Sequence, residues 1–360
     1  MSQTGEPSWW GTKGTMTDAV NNVPAAPPVR RSRDIPMLVE RARAGDPRAV
    51  ARLITLVESG DETLPQIAAA LAPYAGQAQV VGLTGSPGVG KSTTTNELVR
   101  ALRSRGHRVG VLAIDPSSPF TGGAILGDRV RMQDHATDPG VYIRSMSSRG
   151  HLGGLSAATP QAVRVLEGAG CDVVLVETVG VGQAEVEVAS LADTTLVLLA
   201  PGMGDAIQAV KAGILEIADV FVVNKADRDG ADATVRDIQG MIALGERGPG
   251  QWRPAVVRAV AVRGEGIDDV AAAIDKHRGW LVERGELRRR QEARAAAEVE
   301  AIALGALRAR IGSLRDGTEL STLAAWVAAG SLDPYAAADQ LLAQIAGDST
   351  GNPTGRYERP

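Results

Sequence analysis

The stretch GSPGVGKS, residues 85–92, directly follows the apolar run QVVGLT (79–84) and leads into TTTNELVRAL. It matches G-x-x-x-x-G-K-[ST] with a strand before it and a helix after it, the context in which a glycine-rich turn becomes a phosphate cradle. Gly85, Gly88 and Gly90 let the backbone curl around an anion so that successive N–H groups face inward. The helix that follows starts beneath the phosphates with its positive end. Lys91 reaches the β- and γ-phosphates, and the Ser92 hydroxyl is placed to ligate Mg²⁺. Ser86, Pro87, Val89 and Thr93 complete the expected nucleotide-binding stretch. A chance Lys-Ser after a glycine turn would lack this agreement of strand, loop and helix.

Outward from this loop, short β-rich runs alternate with helical segments: RVGVLAID, GVYIRS, CDVVLVE, TTLVLLA, DVFVVN and AVVRAVAV. Runs apolar on consecutive positions belong to strands covered on both faces, as in parallel sheets with helical crossovers. The predicted fold class is α/β: a P-loop NTPase with a mainly parallel central sheet covered by helices, over residues 78–265. Ligands of such sheets sit at the carboxyl ends of the strands.

The polar residues collect at those ends. DVFVV runs into NKAD, Asn224–Asp227. The Asp227 carboxylate can accept from both the ring N–H and the exocyclic amine of guanine. Adenine presents an acceptor at the corresponding ring position, and leaving a buried acceptor unpaired costs about 1–3 kcal/mol. Asn224 is placed to approach the base edge and the Lys225 stem to cover its face. GTP/GDP is therefore preferred to ATP. Glu177 ends CDVVLVE, Asp115 ends RVGVLAID, and Asp128 follows in LGDRVRM. Three carboxylates near one phosphate repel each other unless a divalent cation sits among them, which fits Mg²⁺. The alternative, less favoured reading of Asp128 is a helix N-cap.

The flanks read as helical. Residues 1–32, rich in Gly, Pro, Ser, Thr and Asn, have too little apolar surface to fold and are expected to form a disordered arm. Over 33–77, Val50, Leu53, Ile54 and Val57 share one helix face, and Asp46-Pro47 supplies a cap and first-turn proline. Ile67, Ala70, Leu71 and Tyr74 repeat the spacing. Residues 266–347 form a C-terminal helical region, with one helix expected from Gly266 to about Ser313. Its Leu304, Leu307, Ile311 and Leu314 make a seam that suits either an intrachain bundle or a second subunit. A third helix is capped by Asp333-Pro334. Residues 348–360 read as a loose, disordered tail.

Composition excludes several classes. The chain has 360 residues, 44% hydrophobic and 22% charged, with a net charge of −4. That is globular, and unsuited to coating nucleic acid or anionic lipid. No apolar run approaches the roughly 18 residues that cross a bilayer, and the N-terminus lacks the pattern of a secretory leader. The single cysteine, Cys171, precludes an internal disulfide and fits a cytoplasmic location.

Taken in order, GSPGVGKST, AIDPSSP, ILGDRVRM, RSMSSRGHLGG, ETVGVGQAE, APGMGDAIQAVKAGILE and NKAD resemble the MeaB/ArgK family over residues 35–346. Its members are P-loop GTPases that act as chaperones of adenosylcobalamin-dependent acyl-CoA mutases. The resemblance implies Mg²⁺ ligation by Ser92, Asp115, Asp128 and Glu177, with Lys91, Asp115 and Glu177 as the catalytic set. It also implies nucleotide-responsive segments at 115–154, 177–190 and 202–212, and a homodimer through the C-terminal region. The implied partner is an acyl-CoA mutase, methylmalonyl-CoA mutase foremost, with a cobalamin adenosyltransferase as a further candidate. The last guanine-contacting loop departs from the family pattern. Val260, Ala261 and Val262 stand where members commonly begin with Ser-Ala, so a backbone N–H, that of Ala261, is left to meet the guanine oxygen.

Turnover is expected to be slow. Ras-like enzymes orient the attacking water with a Gln directly after the loop glycine; here Gly180 is followed by Val181, and Gln183 comes later. Arg144, Arg149 and Lys211 are candidates for charge stabilisation or for partner contacts. Two other readings remain: an ATP-dependent kinase linked to lysine, arginine and ornithine transport, and a metal-delivery GTPase. The second needs a thiolate or imidazole cluster, which four scattered histidines and one cysteine do not offer.

Overall fold

The computed structural model describes residues 34–115, 133–135, 137–147, 158–178, 183–202, 214–245, 248, 250–315 and 318–347. Asp128, Arg149, Val181 and Lys211, the arm over 1–32 and the tail over 348–360 lie outside these. So do the side chains of Asp115, Gln183, Ile311 and Leu314.

Three helices precede the sheet: α1 (Ile35–Arg43), α2 (Pro47–Ser59) and α3 (Leu64–Leu71). Asp46 caps α2 as its sequence predicts, its Oδ1 accepting from the Arg48 and Ala49 amides at 2.9 and 3.4 Å. The sheet then alternates with helices in the order β1 (Gln79–Thr84), α4 (Lys91–Ser104), β2 (Val109–Asp115), β3 (Val141–Ser147), α5 (Thr159–Gly168), β4 (Val173–Thr178), α6 (Gln183–Leu191) and β5 (Thr194–Leu199). There follow α7 (Ile214–Ile217), β6 (Val220–Val223), α8 (Ala231–Leu244) and β7 (Ala255–Arg258). The seven strands run in the order β3-β2-β4-β1-β5-β6-β7, and each neighbouring pair is parallel.

Strands β1, β4, β5 and β6 are buried along their whole length, which explains their uninterrupted apolar runs. Alternation then decides which helix each side chain meets. Val80, Val174 and Val176 face a core with Leu53, Ile54, Ile67, Leu166 and Val188 from the helices of one layer. Val81, Leu83, Leu175 and Leu196 face Leu98 and Val99 of α4 and Val270 and Ile274 of α9 (Ile267–Glu283) on the other. Full burial of each such side chain contributes about 1.5–3 kcal/mol. On the first face Gly82 leaves β1 bare: a Cβ there would stand 2.9 Å from Val188 Cγ2 and 3.1 Å from Ala192 Cβ. Helix α6 therefore lies directly on the strand that carries the phosphate loop.

The single helix expected from Gly266 to about Ser313 is in fact two. Helix α9 ends at Glu283, Gly285 turns the chain at φ +70°, and α10 runs from Glu286 to Arg315. A left-handed residue cannot continue a helix, and glycine takes that conformation without a Cβ clash. Helices α11 (Thr318–Ala328) and α12 (Pro334–Gly347) follow. Asp333 caps α12, accepting from the Tyr335 and Ala336 amides at 2.9 and 3.0 Å.

Helix α10 is anchored by its first turns to the amino ends of the central strands. Asp219 accepts from the Thr195 amide at 2.8 Å and from Arg290 at 3.0 Å. Asp193 accepts from the Val80 amide at 2.8 Å and from Arg294 at 2.6 Å. Within the Arg288–Arg290 run, Arg288 and Arg289 stay exposed against Glu292 and Glu286, while the half-buried Arg290 reaches the buried Asp219. Further along, Val299, Ile302, Leu304 and Leu307 are exposed. Cys171 is buried, and burial pushes its thiol up to about 12.

Behind Asp219 sits His277 of α9, with 0% exposure. Its Nδ1 lies 2.9 Å from Thr194 Oγ1, its Nε2 lies 3.2 Å from Asp219 Oδ1, and Trp252 and Trp280 flank the ring. Burial pushes its pKa from 6.5 down to about 4; Arg290 adds to that effect, while Asp219 and Asp193 oppose it. The native ring is thus neutral where the unfolded chain binds a proton, so this part of stability is present above pH 6.5 and lost as pH falls. Urea unfolding between pH 6.5 and 5 should show stability dropping by up to about 1.4 kcal/mol per pH unit from this residue. His277→Asn should remove that slope, whatever it does to absolute stability.

Candidate functional site: a nucleotide pocket at the strand carboxyl ends

The phosphate loop closes between Thr84 and Lys91 at the carboxyl end of β1, where β4 and β5 flank it. Two of its glycines are required by close approach as well as by backbone. Gly85 has φ +138°, and a Cβ would meet the Leu198 carbonyl oxygen at 2.3 Å. Gly90 has φ +100°, and a Cβ would meet Asn224 Nδ2 at 2.3 Å. Lys91 opens α4 and is buried, with its ammonium 2.6 Å from the Gly85 oxygen and 3.1 Å from the Ser86 oxygen. The cation is thereby folded back over its own loop.

Glu177 is the penultimate residue of β4, beside Leu83 of β1 and Ala113 of β2. It is 3% exposed, yet both oxygens have partners. Ser92 Oγ donates to Oε1 at 2.6 Å and Thr95 Oγ1 to Oε2 at 2.8 Å. Ser92 and Glu177, two members of the expected Mg²⁺ set, are therefore adjacent, and their hard oxygens suit that cation. Asp115 shares this edge through its backbone, since Ile114 pairs with Thr178 on β4.

At the base side, Asn224 is buried and clamps two loops: its Nδ2 donates to the Val89 oxygen at 2.8 Å and its Oδ1 accepts from the Ala261 amide at 3.0 Å. Its amide thus spans the phosphate loop and the loop after β7, and the Ala261 N–H expected at the guanine oxygen is directed to Asn224. Lys225, at φ +57°, lays its ammonium 2.6 Å from the Gly88 oxygen. Asp227 is half-exposed and receives Arg263 at 3.2 Å. Val260 is buried, whereas Val262 is exposed.

Arg144 belongs to the fold and not to this pocket. It projects from β3 onto Glu58 and Thr55 of α2, tying the N-terminal helices to the sheet. Two residues that sequence reading missed touch the site residues directly, Thr95 and Arg263. Thr95 was legible in principle, since it follows Ser92 by three positions and so shares its helix face. A separate concavity of about 1050 Å³, bounded by Arg164 and Glu167 of α5, Glu187 of α6 and Arg294 and Glu298 of α10, contains none of the phosphate-loop residues.

Thr95→Val keeps the shape of the side chain and leaves one oxygen of a buried carboxylate without its hydroxyl. Chemical denaturation should show a loss of about 1–3 kcal/mol. An unchanged unfolding midpoint would mean that Glu177 does not depend on that contact.

Sequence and structure comparisons agree with this geometry. Residues 50–315 match the family model described as methylmalonyl-CoA mutase-associated GTPase MeaB. A Pyrococcus abyssi protein described as a GTPase is 47% identical over 313 residues, covering 86% of this chain and 96% of its own length. The GTPase ArgK of Escherichia coli is 39% identical over 269 residues, 73% of this chain and 80% of ArgK. A mitochondrial methylmalonic aciduria type A homolog of Caenorhabditis elegans is 42% identical over 216 residues, 59% of this chain and 54% of that protein. Among solved structures, a LAO/AO transport system kinase superposes with a TM-score of 0.63 at 29% identity, covering 87% of this chain and 97% of the other. The chain belongs to the MeaB family of P-loop GTPases.

Proposed function

We propose that this GTPase is a Mg²⁺-dependent switch that couples GTP binding and hydrolysis to the loading, protection or release of adenosylcobalamin on an acyl-CoA mutase, methylmalonyl-CoA mutase foremost. The observation that carries the guanine-nucleotide part is the Asn224 bridge, which fastens the phosphate loop to the loop beside Asp227. The mutase part is supported by the family and by the relative named for methylmalonic aciduria. A cytoplasmic location and a homodimer through residues 266–347 belong to the same reading. Among the described residues no helix is long and apolar enough to cross a membrane.

Ser92 and Glu177, with Asp115 and Asp128, would hold the metal. Bound there, Mg²⁺ would neutralise charge on the β- and γ-phosphates and screen the carboxylates from them. The Lys91 ammonium exchanges its two carbonyl partners for phosphate oxygens, and the loop amides take the rest of the charge. Asp227 selects guanine by accepting two hydrogen bonds. The Ser92 oxygen could offer a lone pair to the metal while its hydrogen still donates to Glu177 Oε1. That shared contact would link the nucleotide to β4 and to the chain that follows it. A switch acts on a partner only if its GTP and GDP states bind that partner with different affinities.

The name of the structural relative, a LAO/AO transport system kinase, raises a second reading, ATP-driven phosphotransfer in transport. NKAD weighs against it, because adenine cannot satisfy Asp227. Purified acyl-CoA mutases should be captured by the GTP-loaded chain, and GTP turnover measured with and without the captured mutase. The expected result is slow GTP hydrolysis, accelerated by the mutase, with little ATP hydrolysis and at least a hundredfold loss, about 3 kcal/mol, in Lys91→Ala. Equal use of ATP and GTP would remove the switch reading. Turnover indifferent to every mutase would remove the chaperone role.

A further inference from the structure

The loop after β7 carries a charge relay aimed at the base-selecting carboxylate. Val260 has no hydroxyl to offer a neighbour, and its burial directs it into the core. The loop is nevertheless tightly built. The Val260 amide donates to the Glu265 oxygen at 2.9 Å and the Arg263 amide to the Val260 oxygen at 2.9 Å. Gly266 turns it at φ +75°, where a Cβ would meet the Arg258 oxygen at 2.1 Å. Arg263 is thus presented from a fixed backbone.

Its guanidinium is oriented from one side by Glu265, which accepts from Nε at 2.7 Å and from Nη2 at 3.2 Å. This two-pronged contact uses the geometry in which a guanidinium pairs best with a carboxylate. Nη1 is left, and it donates to Asp227 Oδ2 at 3.2 Å. The hydrogen bonding of Arg263, aided by its charge, also holds the Glu265 carboxyl below its ordinary range. Each carboxylate oxygen has two acceptor sites. Guanine's ring N–H and amine need one site on each oxygen of Asp227, so Oδ2 keeps a second site for Arg263. The contact and the base are compatible.

We propose that Arg263 is a positioning and specificity residue, holding Asp227 in the orientation that accepts guanine. This rests on the guanine reading above. The competing possibility is that Arg263 blocks the pocket and must be displaced. The two differ in sign. Arg263 is 49% exposed and Asp227 39%, so the contact is partly screened and its effect modest.

The test is calorimetry on the full chain with GDP, ADP and inorganic tripolyphosphate, for wild type, Arg263→Met, Asp227→Asn and the double variant. The expected result is GDP binding weakened about 3- to 10-fold by Arg263→Met, with tripolyphosphate binding unchanged. In the Asp227→Asn background, Arg263→Met should have no further effect, because the carboxylate it orients is gone. GDP binding that is unchanged or tighter in Arg263→Met would overturn the proposal, the latter in favour of a block. Equal loss of GDP and tripolyphosphate would reduce Arg263 to a fold-stabilising residue and overturn it as well. Wild-type protein that binds GDP and ADP alike would instead defeat the guanine reading and take this proposal with it.

Discussion

Asn224 is the constraint on which the pocket depends. Three pieces of chain distant in sequence meet at one buried amide: the phosphate loop at Val89, the end of β6, and the Ala261 turn after β7. Asn224 uses an N–H of its amide nitrogen and the carbonyl oxygen, and a carboxylate in its place could not donate to the Val89 oxygen. Gly90 is bare because that amide nitrogen needs the room. The phosphate loop and the turn beside Asp227 are therefore tied into one unit. In the function proposed above, a base that misfits Asp227 would be felt at the phosphate loop, and a loop out of place would move the base site.

Buried carboxylates organise the two ends of the sheet in different ways. At the amino end, Asp193 and Asp219 are satisfied by strand amides and by Arg290 and Arg294, so their charge is fully paired and fixes α10 against β1 and β5. Such pairing is needed, since removing one partner of a buried pair typically costs about 3–5 kcal/mol. At the carboxyl end, Glu177 accepts hydrogen bonds from the Ser92 and Thr95 hydroxyls. Hydroxyl contacts of this kind can be exchanged for a cation or its waters. One end is built to hold, the other to exchange. Strand β1 joins them, running from the Asp193 contact to the phosphate loop.

Much of this was legible in the sequence because burial on both faces writes strands as unbroken apolar runs. Each of the seven runs, from QVVGLT to AVVRAVAV, falls on a strand of the sheet, although β3 and β4 continue past GVYIRS and CDVVLVE to Ser147 and Thr178 and only Ala255–Arg258 of the last run is extended. The phosphate loop and NKAD were equally plain, since loop chemistry of that kind is local. What was hidden depends on long-range placement. Nothing near Asn224 says that its amide would reach Val89 and Ala261. The break at Gly285 was masked by good helix formers on both sides, and Arg290 looks like its neighbours Arg288 and Arg289 until Asp219 is brought beneath it. Arg263 was passed over because its partner lies 36 residues away.

The coupling of the two halves of the pocket through Asn224 is tested most directly by measuring tripolyphosphate affinity of Asn224→Ala by calorimetry, alongside a thermal melt to verify the fold. Tripolyphosphate has no base, so a residue that served only base recognition would leave its binding untouched. The bridge described above predicts a loss of about tenfold or more, from one to two buried hydrogen bonds at about 1 kcal/mol each. Unaltered tripolyphosphate binding in a folded Asn224→Ala protein would contradict it.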